Sequence, residues 1–142
     1  MNTTTLPNGP LAEAGPGSSA QAAASPQDES RQWSEDVAGR STDFLATPYS
    51  DRIMLVASNT GTFGTIMQAR MEADVSGTSH PSIRVVLGRR EEPGLMLCAR
   101  RLAEAAAAAG CTRSLLLCIG LLDHSLPAIR TVIQAFLNHP VW

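Results

Sequence analysis

Arg52-Ile53-Met54-Leu55-Val56-Ala57-Ser58-Asn59 is the stretch on which the fold turns. From Ile53 to Ala57 the apolar residues follow one another without a polar break, over the length of a strand. A strand that packs on one face only alternates apolar with polar; an unbroken run belongs in the middle of a sheet. Upstream, Ser41 to Thr47 can form a strand, and Pro48-Tyr49-Ser50-Asp51 supplies the turn between the two. Downstream, Thr60-Gly61-Thr62-Phe63-Gly64 makes a tight loop whose glycines can take positive φ. Thr65 to Met71 alternates moderately and reads as a return strand.

The rest of the chain follows from this centre. Glu72 to Pro81 is polar and reads as a mobile loop, and Ile83 to Leu87 is a further strand stopped by Gly88. Glu91-Glu92-Pro93 suits a helix start, since acidic residues favour its positive end and proline fits the first turn. Leu95, Cys98, Ala99, Leu102, Ala105, Ala106 and Ala109 then form one stripe at helical spacing, with Gly110 as the stop. Arg113 to Leu121 is a second unbroken apolar run, expected as a buried strand. Asp123 or Ser125 can cap a last helix, with Leu126, Ile129, Ile133, Phe136 and Leu137 on its apolar face and Pro140 after it. Strands first, then helix, strand, helix, predict a two-layer α+β domain, largely antiparallel, with two helices packed on the sheet.

Residues 1–38 have a different texture. They are rich in Ala, Ser, Gly and Pro, and Leu6, Leu11, Trp33 and Val37 show no period. Such a segment buries too little apolar area to offset its backbone entropy, so a disordered tail is expected, with residues 39–142 as the folded domain. A chain of 142 residues supports one such core, and aromatics at 4% make that core aliphatic.

Composition excludes several functions. Net charge is −2, without the basic concentration that phosphate backbones require. Every basic residue is arginine, so Schiff-base and P-loop lysine chemistry are out. Cys98, Cys111 and Cys118 are odd in number and form no CxxC pair, which suits a reducing compartment. The start lacks the pattern of a secretory signal, and Leu115 to Leu122 is far shorter than the ~20 residues that span a bilayer. A soluble chain of the cytoplasm, with access to the nucleus, is the expectation.

Ser58-Asn59-Thr60-Gly61-Thr62 after an apolar strand is similar to the phosphate loop of flavodoxin-like flavin binders. A plain hairpin turn is the simpler account, because too few βα units follow for a doubly wound sheet. Thr62-Phe63 between Gly61 and Gly64 mimics a KH-type GxxG loop, but no basic residues accompany it. His80, His124 and His139 lie far apart in sequence, and Asp123-His124 reads as a capping pair rather than a catalytic one. Neither ligand count nor spacing suits zinc. Arg89-Arg90 and Arg100-Arg101 read as solvated charge, with acidic partner surfaces as the alternative. No catalytic residue, cofactor or metal is expected.

Taken in order, Tyr49-Ser50-Asp51-Arg52-Ile53-Met54-Leu55-Val56, Gly61-Thr62-Phe63-Gly64-Thr65, Val85-Val86-Leu87-Gly88, Glu92-Pro93 and the terminal Val141-Trp142 resemble the proteasome assembly chaperone 3 family. The likeness runs from near Phe44 to Trp142. It implies a non-catalytic chaperone that pairs with a proteasome assembly chaperone 4-like subunit or with itself. It further implies help to the α-subunits of the 20S core particle as they form their ring, then release before maturation. Within that frame, Leu126, Ile129, Ile133 and Phe136 are the expected dimer or packing face. Glu72, Asp74, Ser76, Gly77, Ser79 and His80, together with Gly61, Phe63 and Gly64, are the expected protein-binding contacts. A generic αβ adaptor of another complex is the remaining alternative.

Overall fold

The structure is a computed structural model and describes residues 29–142. Six strands and two helices follow one another: β1 (Arg31–Val37), β2 (Arg40–Pro48), β3 (Arg52–Ser58), β4 (Thr65–Ala73), β5 (Ser79–Leu87), α1 (Pro93–Ala108), β6 (Ser114–Gly120) and α2 (Leu126–Asn138). The strands form one sheet in the order β1-β2-β3-β6-β4-β5. Only β3 and β6 are parallel; β1–β2, β2–β3, β4–β6 and β4–β5 are antiparallel. This is the expected two-layer α+β arrangement.

The two unbroken apolar runs, β3 and β6, sit side by side at the centre. Their inward residues Ile53, Leu55, Ala57, Leu115, Leu117 and Ile119 join Met67 and Ala69 of β4 and Phe44 and Ala46 of β2 in one buried layer. Leu95, Cys98, Ala99, Leu102, Ala103 and Ala106 of α1, and Ala128, Ile129, Val132, Ile133, Ala135 and Phe136 of α2, close that layer from the same side. The α1 stripe is displaced slightly from its expected line: Ala103 is buried, while Ala109 is exposed. Glu92 and Ser125 occupy the N-cap positions, yet neither side chain makes a capping bond. Asp123 accepts from the Ser125 amide (2.8 Å), and His124 turns to the Glu92 carboxylate (3.3 Å) rather than serving a cap with Asp123.

Three expectations are corrected. The boundary at residue 38 falls inside a hairpin: Arg31–Val37 is a strand, paired with β2 along its whole length. Trp33 stacks on Phe44 (5.3 Å between ring centroids) and meets Phe136 edge-on, and Val37 is buried. Ala38 and Gly39 both take positive φ, the geometry of a two-residue hairpin turn. The part of the expected tail that precedes residue 29 lies outside the described residues.

Second, β3 and β4 are not a hairpin. β6 lies between them, and the connecting loop crosses the end of β6. A Cβ on Gly64 would overlap the Ile119 carbonyl, and one on Gly120 would overlap the Thr62 carbonyl, so the crossing needs bare backbone on both sides. Third, half of the polar stretch from Glu72 to Pro81 is strand. β4 runs to Ala73 and β5 begins at Ser79, which leaves only a short tip. Pro81 is tolerated there because β5 is an edge strand.

Candidate functional site

Both central strands carry apolar side chains on each of their faces, but the helices cover only one face. On the other, strand pairing lines up Leu45, Val56, Cys118, Ile66 and Leu87 as one row across β2, β3, β6, β4 and β5. The adjacent row reads Thr47, Met54, Leu116, Gln68 and Arg84. Val56 and Cys118 are shielded by their neighbours. Leu45, Met54, Ile66 and Leu116 are half-buried, and Leu87 is 62% exposed. Phe63, 55% exposed, borders this face, sharing a shallow recess with Asp43, Val56, Ser58 and Thr62. Burial at the centre of the face pushes the Cys118 thiol pKa up.

Polar residues frame the apolar stripe, and their signs differ from side to side. On β2, Asp43 accepts from the Ser34 hydroxyl (2.8 Å). On the far side, Arg84 donates to the Gln68 amide oxygen (2.8 Å), and Arg70 pairs with Glu72 (3.2 Å).

The two loops expected to act together stand at opposite ends of β4. Gly61, Phe63 and Gly64 precede it, whereas Asp74, Ser76, Gly77 and Ser79 follow it. Nine strand residues separate them by roughly 30 Å. The tip is tightly tied. The Asp74 carboxylate accepts from the Ser76 amide (2.9 Å), the Ser76 hydroxyl (2.6 Å) and the Thr78 amide (3.0 Å). These bonds hold the Asp74 carboxyl below its ordinary value, the Ser76 hydroxyl contributing most. Val75 projects from this tip fully exposed. Glu72 and His80 face each other where the hairpin leaves the sheet.

The expected helical face serves the chain itself. Ile129, Ile133 and Phe136 are buried against the sheet, and of the four only Leu126 is exposed. Ile129, Ile133 and Phe136 therefore form a packing face within the chain, and Leu126 alone of the four reaches the surface. What sequence reasoning missed is the uncovered sheet face. Its signal was present in the double-sided apolarity of Arg52–Asn59 and Arg113–Leu121, but it becomes a site only once both helices are seen on one side.

The loop that resembled a phosphate cradle is filled by its own atoms. The Ser58 hydroxyl donates to the Thr62 carbonyl (2.7 Å), and Thr60 Oγ1 meets both Thr62 Oγ1 (2.9 Å) and the Gly120 carbonyl (3.1 Å). Asn59 bonds outward to Thr42 and to the Leu122 amide. With the hydroxyls turned inward, nothing converges on a phosphate. Among the described residues, no three His, Cys, Asp or Glu side chains are grouped to hold a metal. Nor is any helix there long and apolar enough to cross a membrane.

The profile of the family described as proteasome assembly chaperone 3 matches residues 55–138, more than half of the chain. The chain belongs to that family. A human protein, proteasome assembly chaperone 3, is 26% identical over 115 residues, covering 80% of this chain and 93% of its own. The fold also matches a chain from the crystal structure of a novel chaperone complex for yeast 20S proteasome assembly. The TM-score is 0.63 at 14% identity, over 77% of this chain and 96% of that one. The chaperone 3 profile begins at Leu55 within β3 and covers the rest of that strand, β4, β5, β6 and both helices.

Proposed function

We propose that this chain promotes assembly of the 20S proteasome α-ring, without catalysis, as one half of a chaperone pair that leaves before the particle matures. The pair forms through the uncovered face of the sheet, against a second small chaperone of the same fold or another copy of this chain. One observation carries the reading: β3 and β6 are apolar on both faces, and only one face is covered. An apolar stripe framed by polar residues is the anatomy of a protein interface. Membership in a family of assembly chaperones, and the likeness to a chain from a chaperone complex, support a partner of this kind. The tied β4–β5 tip, with Val75 at its apex and Asp74, Ser76 and Gly77 around it, then stands free of the pair interface to meet α-subunits.

The test is affinity purification of the tagged chain from its own cells, with the Leu116→Asp variant in parallel. Recovery of a small chaperone and α-subunits without mature β-subunits is the expected result. The variant, checked by circular dichroism to be folded, loses the small chaperone. Deletion of Ser76 to Ser79 is expected to lose α-subunits and keep the chaperone. Recovery of an unrelated complex with no α-subunits would overturn the assembly role, and an unaffected pair in the folded Leu116→Asp variant would overturn the face.

A further inference from the structure

The sheet ends on β5, and along one side that strand pairs with no other described strand. Its register with β4 passes through Pro81, which has no N–H to give, so the backbone nitrogen of Pro81 faces the open side. Bonded and non-bonded pairs alternate along an antiparallel ladder, so Ile83 and Val85 turn their N–H and C=O the same way. The hairpin end gives the same parity: the Asp74 amide donates to the Thr78 carbonyl (2.9 Å), two steps before Glu72 and His80. Pro81 at one end and a bulge at Val86 at the other limit the open window to Ser82 through Val85.

Helix α1 walls this window. A Cβ on Gly94 would meet the His124 carbonyl and Ile129, so that flank of α1 faces α2. The opposite flank holds Met96, Arg100, Ala103 and Ala107 at helical spacing, and Ala103 and Ala107 line a recess with Ala69 and Met71 of β4. Half-buried Ile83, Val85 and Met96 therefore border the edge, with exposed Arg100 on the helix side and exposed Arg84 on the other face. Among the described residues neither guanidinium meets a carboxylate: Arg84 donates to the Gln68 amide oxygen, and Arg100 makes no bond. Two nearby acids are taken, Glu72 by Arg70 and Glu92 by Arg89 and His124. β5 carries no acid of its own, whereas β1, at the other edge of the sheet, carries Glu35 and Asp36.

We propose that the open edge of β5 takes up an extended, acidic segment of a partner protein as a seventh strand. Ile83 and Val85 supply the backbone donors and acceptors, and the side chains on either face supply the selection. Successive side chains of the added strand point to opposite faces, so one carboxylate meets Arg100 and the next meets Arg84. An apolar residue two places from the first settles on Met96. Charge chooses the edge as well as the segment, because the acids of β1 repel what the arginines beside β5 attract. The edge stays open whichever protein covers the outer face of the sheet.

The experiment is fluorescence anisotropy of the full chain with a labelled peptide, Thr-Val-Glu-Asp-Val-Thr, and with a second peptide in which lysines replace both acids. Amide hydrogen exchange, followed by NMR, is measured with and without peptide. The acidic peptide is expected to bind at least about tenfold more tightly than the basic one, and less tightly in high salt. Exchange at the Ile83 and Val85 amides should slow on binding. The double variant Arg84→Glu with Arg100→Glu, both at exposed positions and checked by circular dichroism, should reverse the preference. Binding that leaves the Ile83 and Val85 amides unprotected would overturn strand addition. Equal affinity for the two peptides would overturn the selection for acid. No saturation by about 1 mM acidic peptide would overturn the site as a whole.

Discussion

The imidazole of His139 lies flat against the indole of Trp33, with ring centroids 3.9 Å apart and planes 20° from parallel. Phe44 stacks on Trp33 at 5.3 Å, so the indole joins the first strand, the second strand and the end of the last helix. His139 is fixed in turn by its Nδ1 contact with the Ala135 carbonyl (3.0 Å). Trp33→Ala is expected to cost about 2–3 kcal/mol, below the full cost of a buried indole because Trp33 is only half-buried. Trp33→Phe should recover most of the loss. Urea unfolding of both variants checks this, and an unchanged midpoint for Trp33→Ala would show that the first strand adds nothing to the fold.

That contact explains why β1 was hidden in the sequence. Its apolar content is Trp33 and Val37 alone: Val37 is buried, and Trp33 is half-buried against Phe44 and, from the far end of the chain, Phe136 and His139. Its turn, Ala38-Gly39, lacks the Asn-Gly or Asp-Gly pair that marks a two-residue hairpin. By contrast β3, β6 and the two helices were legible, because their signals are local runs, helical spacing and Pro or Gly punctuation. Strand order was not legible: nothing near Thr60–Gly64 says that β6, some fifty residues on, will slot between β3 and β4. The same limit applied to the site. Leu126, Ile129, Ile133 and Phe136 looked like a surface in search of a partner, and the sheet used three of them. The apolar face left over was legible only as strand content, never as exposure.

Gly64 and Gly61 make a paired test of the crossing loop. Both have positive φ, +66° and +79°, so alanine is strained at either. Around Gly61 a Cβ would meet nothing within 4 Å, whereas at Gly64 it would overlap the Ile119 carbonyl and approach Gly120 Cα to 2.6 Å. Gly61→Ala should therefore cost about 1 kcal/mol, and Gly64→Ala more than about 3 kcal/mol or the loss of soluble protein. Equal melting temperatures for the two variants would mean the loop crosses β6 less closely than described.

Asp74 gives the β4–β5 tip a dependence on pH with a definite sign. The Ser76 hydroxyl and the Thr78 and Ser76 amides favour its charged form, so the folded value lies below the ordinary 3.8. The folded chain thus binds fewer protons than the unfolded one across this range. The stabilisation is complete above the unfolded value and is lost as pH falls through the folded one. The Thr78 amide resonance should be flat from pH 7 to 5 and titrate with a midpoint under 3.8. A midpoint at or above 3.8 would show that the carboxylate does not hold the turn, and Asp74→Ala should abolish the titration altogether.

The three thiols should react in an order set by their surroundings. Cys98 is fully enclosed under α1, and burial pushes its thiol pKa up to about 12, so almost none is thiolate at pH 8. Cys118 is buried at the centre of the uncovered face and is also raised. Cys111 is half-exposed after α1, with its sulfur 3.8 Å from the Arg113 carbonyl. Maleimide at pH 8 should therefore modify Cys111 in the native chain within minutes, reach Cys118 slowly, and reach Cys98 only on unfolding. Mass spectrometry of the modified peptides reads out all three sites at once. Rapid native labelling of Cys98 would mean that α1 lifts from the sheet, and with it the inner layer on which the outer face depends.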